Sequence, residues 1–203
     1  MKKSITTLVL FTLFIIAQTT EAQVFKKDDK FLNIGYGFGS YYSNFGKAYS
    51  NQFGYTQQGF GPASISFDHG VTNKLSIGGF IGYYRSGVSW NTVSYPTLNI
   101  PSYEYKYSWS GLQILFRGAY HYNFDVEKLD TYFGVGFGYT NWSYKWESTE
   151  PSFNSSAYNI KSGSPVGLSG FVGARYMFSE KLGGYIEGGW GLSAVQLGLT
   201  FKP

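Results

Sequence analysis

The sequence predicts an all-β fold: an eight-stranded antiparallel up-and-down transmembrane β-barrel with short turns at one end and three long loops at the other. Three observations predict it. Large apolar residues alternate with small or polar ones through most of the chain, and no long stretch carries a helical period. The links between alternating stretches are short and long in turn, as in barrels that cross a membrane. Finally, the apolar parity is nearly free of charge, whereas the other parity holds glycine, serine and a few isolated charges. Such a polar face is a poor coat against water, so the apolar face is expected to meet lipid and the polar face the lumen.

The strands follow in order. The first, near Lys30–Ser40, sets Leu32, Ile34, Tyr36 and Phe38 against Asn33 and three glycines; the second, near Gly59–His69, sets Ala63, Ile65 and Phe67 against Ser64, Ser66 and Asp68. The third, Lys74–Tyr84, turns out Leu75, Ile77, Ile81 and Tyr83, and the fourth, Ser110–Asn123, turns out Leu112, Ile114, Phe116, Tyr120 and Tyr122. The fifth, Thr131–Asn141, carries Phe133, Val135, Phe137 and Tyr139 over inward glycines. The sixth, Pro165–Phe178, shows Val166, Leu168, Val172, Tyr176 and Phe178. Ile186, Trp190 and Leu192 mark the seventh, Gly184–Ser193; Val195, Leu197, Leu199 and Phe201 mark the eighth, Ala194–Lys202. Eight strands of about ten residues suffice to span a membrane and close a barrel. The interior of so small a barrel barely holds its side chains, which accounts for inward glycine: "FLNIGYGFGS" and "YFGVGFGY" make room for long side chains from other strands.

The chain has 203 residues, 27 glycines, 21% aromatic residues and only 14% charged ones, against about 25% in soluble domains. It has no cysteine, which excludes disulfides and thiolate metal sites. Residues 1–22 have the layout of a secretory signal peptide: Lys2 and Lys3, the apolar run Leu8–Ala17, then Thr20-Glu21-Ala22, with cleavage expected before Gln23. The barrel domain is then 23–203. Cleavage lowers the net charge of +4 by one, and no basic cluster marks a nucleic-acid partner.

These strands, and above all the terminal "GYIEGGWGLSAVQLGLTFKP", resemble the small outer-membrane β-barrel proteins of the OmpA/OmpX/OmpW type, especially the porin-like "outer membrane beta-barrel" proteins of Bacteroidetes. "QLGLTF" is similar to the signal read by the barrel-assembly machinery, with Lys202 and Pro203 after the usual final aromatic. The resemblance implies a Gram-negative outer membrane, periplasmic short turns, extracellular long loops, and lipid and lipopolysaccharide as surroundings. It implies no peptidoglycan-binding role, since no further domain follows the barrel.

Two constellations stand out. Inward charges Asp68, Arg117, His121, Arg175 and Glu187 gather toward the short-turn end and predict an ionic plug. Centring the "SEKLG" turn on Lys181 sets Arg175 opposite Glu187, the expected strongest pair; a register centred between Val126 and Glu127 sets Arg117 opposite Gly136. Such charges either fill the lumen or act as a gate. In the second constellation, Tyr103, Tyr105, Tyr107 and Trp109 share inward parity, as do Trp142, Tyr144 and Trp146, while the outward parity turns from apolar to polar. The same register pairs Trp109 with Tyr144 and Tyr107 with Trp146, an aromatic ladder over the barrel mouth that either stiffens the hairpin or binds sugar rings or apolar solutes.

Other signals are slighter. Arg85, at the outer end of its strand on the lipid-facing parity, is an interfacial anchor or a contact for lipopolysaccharide phosphates. "GYGFGS" opens no helix, so a phosphate-cradle reading fails. The mature histidines, His69 and His121, map to the short-turn end, and no Ser-His-acid set is expected near the outer leaflet. The sequence therefore points to a monomeric, non-enzymatic, cofactor-free surface protein, structural or adhesin-like, with a plugged lumen; the alternative is a narrow gated pore for small or apolar solutes.

Overall fold

Alternation at this period leaves one face of every strand apolar, and a sheet with such a face closes on itself when its edges can pair. The computed structural model describes residues 24–39, 50–94, 101–122, 124 and 126–203, with side chains of 160–165 excepted. The expected signal peptide lies outside the described residues. Eight strands form one closed barrel in sequence order: β1 (Lys30–Phe38), β2 (Thr56–Gly70), β3 (Leu75–Asn91), β4 (Glu104–Tyr122), β5 (Leu129–Ser148), β6 (Ile160–Met177), β7 (Leu182–Trp190) and β8 (Val195–Phe201). All neighbours are antiparallel, and β1 closes against β8 from Leu32↔Phe201 to Phe38↔Val195.

The faces are inverted relative to a soluble barrel. Val135, Phe137 and Phe133 are 69%, 61% and 58% exposed, whereas Asn33, Asp130 and Arg175 are 0% exposed. An outward band this apolar has lipid as its natural solvent. No helix among the described residues is long and apolar enough to cross a membrane; the crossing elements are strands.

Inward glycine serves the packing expected of it. A Cβ on Gly35 would lie 2.1 Å from the Tyr185 hydroxyl, and one on Gly173 would lie 2.7 Å from the Tyr132 ring. Each large side chain occupies the space that a facing strand leaves empty.

The wall is uneven. Strands β2 to β6 have 15 to 20 residues, whereas β7, β8 and β1 have nine, seven and nine. The long strands exceed the expected spans because their alternation continues past the apolar band with polar residues outside. One strand face differs from expectation: Leu192 points inward and is buried. β7 ends at Trp190, and Gly191 follows with φ +147, which breaks the alternation that would have turned Leu192 out.

Candidate functional site: two layers across the lumen

The first layer lies toward the short-turn end. Parity alone directs Asp68 on β2, Arg117 and His121 on β4, Asp130 on β5, Arg175 on β6 and Glu187 on β7 into a lumen too narrow for water to surround them, and all are buried. Arg117 Nη2 donates to Glu187 Oε1 at 2.7 Å, and its Nε faces Asp68 Oδ1 at 3.1 Å, an ion pair without hydrogen-bond alignment. Arg175 spans two carboxylates, with Nη1 on Asp130 Oδ2 and Nη2 on Asp68 Oδ2, both at 3.1 Å. The Tyr132 hydroxyl donates to Glu187 at 3.0 Å, and Asn33 Nδ2 donates to Asp68 at 3.1 Å. Aromatic faces complete the shell: Arg117 lies 4.0 Å from the Phe171 ring centroid, and Arg175 lies 3.9 Å from that of Phe31.

The expected Arg175–Glu187 pair does not form. Gly173 stands opposite Glu187, and Arg175 opposite Tyr185. The β6–β7 turn is tighter than a centre on Lys181 requires: Phe178 N–H bonds Leu182 O, and Ser179 Oγ accepts the Leu182 N–H at 3.1 Å. That centres the turn on Glu180 and slides the register by two residues. Glu187 instead reaches across the lumen to Arg117. The β4–β5 register is the one that sets Arg117 opposite Gly136.

His121 joins the layer through a chain that sequence reasoning missed. Its Nδ1 hydrogen-bonds Asp130 Oδ1 at 2.8 Å, and its Nε2 hydrogen-bonds Ser76 Oγ at 2.9 Å. This is the connectivity of a Ser-His-acid relay, assembled at the short-turn end. It is sealed, however. Ser76 is 3% exposed, and the Phe25 ring stacks on the imidazole with centroids 3.5 Å apart. No space is left for a substrate carbonyl, and Asp130 is already shared with Arg175. Phe25 belongs to a segment folded across the barrel end, where Lys202 Nζ pairs with Asp29 Oδ2 at 2.8 Å. Asp130 was legible only by extending the parity of Tyr132 two residues back; parity put Ser76 on the inward face without marking it as a partner of His121, and nothing marked Phe25.

The second layer is aromatic and lies toward the long-loop end. Phe80, Tyr84, Val88, Trp90, Trp109, Leu115 and Leu192 form its buried centre. Tyr105, Tyr107, Trp142, Tyr144 and Trp146 pack against it half-buried, and Tyr103, also half-buried, precedes β4. The register pairs Trp109 with Tyr144 and Tyr107 with Trp146. The rings touch one another rather than lining an open mouth: Tyr107 and Trp146 at 5.9 Å, Trp90 and Tyr105 at 5.9 Å, Tyr84 and Trp142 at 5.8 Å. Phe153 and, from the 3₁₀ turn Ser155–Tyr158 that follows it, Tyr158 cap Trp146 at 6.0 and 5.6 Å. The Tyr105 hydroxyl donates to Glu150 and ties this cap to β4. That bond, first among its causes, raises the Tyr105 pKa and lowers the Glu150 pKa.

Between the layers is a small cavity of about 40 Å³, bordered by Gln113, Ser169, Leu192, Ser193 and Gln196, with the Arg117–Glu187 pair at its edge. Among the described residues no group of three or more His, Asp or Glu side chains is placed to hold a metal ion.

No protein-family model matches the chain, and no curated protein matches it in sequence. Solved structures resemble it in fold. A de novo designed transmembrane β-barrel is 14% identical, with 88% of this chain and 98% of that one covered and a TM-score of 0.43. The outer membrane protein OprG of Pseudomonas aeruginosa is 11% identical over 89% of this chain and 98% of its own, TM-score 0.44. Ail, the attachment invasion locus protein of Yersinia pestis, is 10% identical over 87% and 95%, TM-score 0.41. Likeness at this level says nothing of what this chain binds.

Proposed function

We propose that this chain is an integral outer-membrane β-barrel with a closed lumen, acting as a surface-exposed structural or binding protein without catalytic activity. One observation carries the reading: two independent side-chain layers fill the lumen, while β2 to β6 continue beyond the apolar band as a projecting sheet. A barrel that fills its bore and extends its rim works from the rim.

The alternative, a narrow gated pore for small or apolar solutes, draws on the cavity beside Arg117 and Glu187. Single-channel conductance of the refolded protein in a planar bilayer separates the two. The closed-lumen reading expects no discrete steps from the wild type or from Glu187→Gln. Steps in the wild type that the variant enlarges would make the ionic layer a gate and the protein a pore.

A further inference from the structure

The rim carries a second site on its outer surface. On the outward parity of β4, the apolar run ends at Leu112, and Ser110 and Ser108 follow. The neighbouring strands change at the same height. Arg85 on β3 stands opposite Ser110, and Ser143 on β5 flanks Ser110 from the other side. Two residues farther along, Lys145 stands opposite Ser108, and Gly87 leaves the β3 side of that row without a side chain. Arg85, Lys145 and the three serines border one notch of about 160 Å³, with Tyr83 at its lower edge.

Both cations are exposed, and neither makes an ion pair among the described residues. The carboxylates on this face stand farther out: Glu147 is opposite Lys106, and Glu104 is opposite Asn91. A forked guanidinium, an ammonium and hydroxyl donors converging on one notch suit a tetrahedral oxyanion of charge −1 to −2. The height of the notch selects its source. It begins where the lipid-facing band ends, at the level of lipid headgroups, with an aromatic at the boundary. Beside hydrocarbon such charge pairs are screened less than in bulk water.

We propose that Arg85 and Lys145, with Ser108, Ser110 and Ser143 between them, form a binding site for the phosphate of a bilayer lipid headgroup. The site rests on the reading of the barrel as membrane-spanning. It clamps one lipid against β3–β5 and holds the root of the projecting sheet at a fixed height.

The test uses the full chain folded into phosphatidylcholine nanodiscs containing traces of spin-labelled phosphatidate or spin-labelled phosphatidylcholine. The wild type should hold phosphatidate several-fold more strongly than phosphatidylcholine in the motionally restricted fraction. The double variant Arg85→Gln/Lys145→Gln should lose that preference, about fivefold or more, while Lys106→Gln, farther out on the same face, should keep it. Equal loss in Lys106→Gln would mean diffuse attraction and would overturn the site. Titration of inorganic phosphate into nanodiscs of phosphatidylcholine alone should release no heat; heat that the double variant abolishes would assign the notch to a free anion and overturn the lipid source. A heat-modifiable gel band and protease protection of the strands report insertion separately. Their absence in every variant would overturn the membrane-spanning reading and this site with it, whereas their presence with no lipid preference would overturn the site alone.

Discussion

The two layers that close the barrel are held by opposite physics. The aromatic layer is built mainly from neighbouring strands: Tyr107 of β4 meets Trp146 of β5 because their backbones are paired, and Tyr84 and Trp90 of β3 reach Trp142 and Trp146 one strand beyond. The ionic layer is built across the bore: Arg117 of β4 meets Glu187 of β7, and Arg175 of β6 meets Asp68 of β2. Ring packing is divisible, since each pair contributes about 0.5–1.5 kcal/mol beyond its area and the rest survive its loss. Buried charge is not divisible in this way. Removing one partner leaves the other desolvated and unpaired, which costs roughly 3–5 kcal/mol. One end of the lumen therefore tolerates substitution and the other does not.

The contrast is easiest to break at Arg175. Arg175→Met strands two buried carboxylates, Asp68 and Asp130, and should destabilise the barrel by roughly 3–5 kcal/mol in urea unfolding from micelles. A loss under about 1 kcal/mol would mean that water enters the layer and that the two ends are alike. The next effect is smaller. Trp146→Ala removes rings packed on Trp90, Tyr107, Phe153 and Tyr158 and should cost about 1–2 kcal/mol. Chymotrypsin should then cut at Phe153 or Tyr158 while the barrel keeps its heat-modifiable band; collapse of the whole barrel would show that the aromatic layer is as indivisible as the ionic one. Trp109 is unsuited to this test because it is 2% exposed and lies in the buried centre.

The smallest effect is one of pH. Glu150 has a lowered pKa in the folded state, so its contribution is present above its unfolded pKa and fades as pH falls through the folded one. Tyr105 has a raised pKa, so its contribution fades as pH rises past its unfolded value toward the folded one. Proteolysis of the 150–158 cap should therefore be slowest near neutrality, and Glu150→Gln should flatten the acid limb. An unchanged acid limb in that variant would remove the bond from the account.

Legibility in the sequence followed the same division. Parity placed Asp68, Arg117, His121, Arg175 and Glu187 in the lumen and the Tyr and Trp rows above them, because a period of two needs only one strand at a time. The ring pairings were legible too, since one turn fixes the register of one hairpin. The ionic partners were not. Arg175 and Glu187 lie on adjacent strands, and a turn two residues tighter than expected separated them; Arg117 and Glu187 lie three strands apart, where no periodicity relates them. Asp130 was hidden for a related reason: it opens a strand directly after the turn "VEKL" and passes for a turn residue. Leu192 faced inward because a single glycine interrupted the count.

The seam between β1 and β8 joins the two ends of the described chain, and every other strand pairing is a hairpin. Hairpins can form early and locally, whereas the seam must wait for nearly the entire chain to be in place. The ionic layer shares that delay: Arg175 cannot reach Asp68, nor Arg117 reach Glu187, until the sheet has curled. The charges thus act as a ratchet on assembly, costly to carry into the bilayer while apart and hard to withdraw once met. At the rim of the same seam, Lys202 and Asp29 close over the join like a clasp.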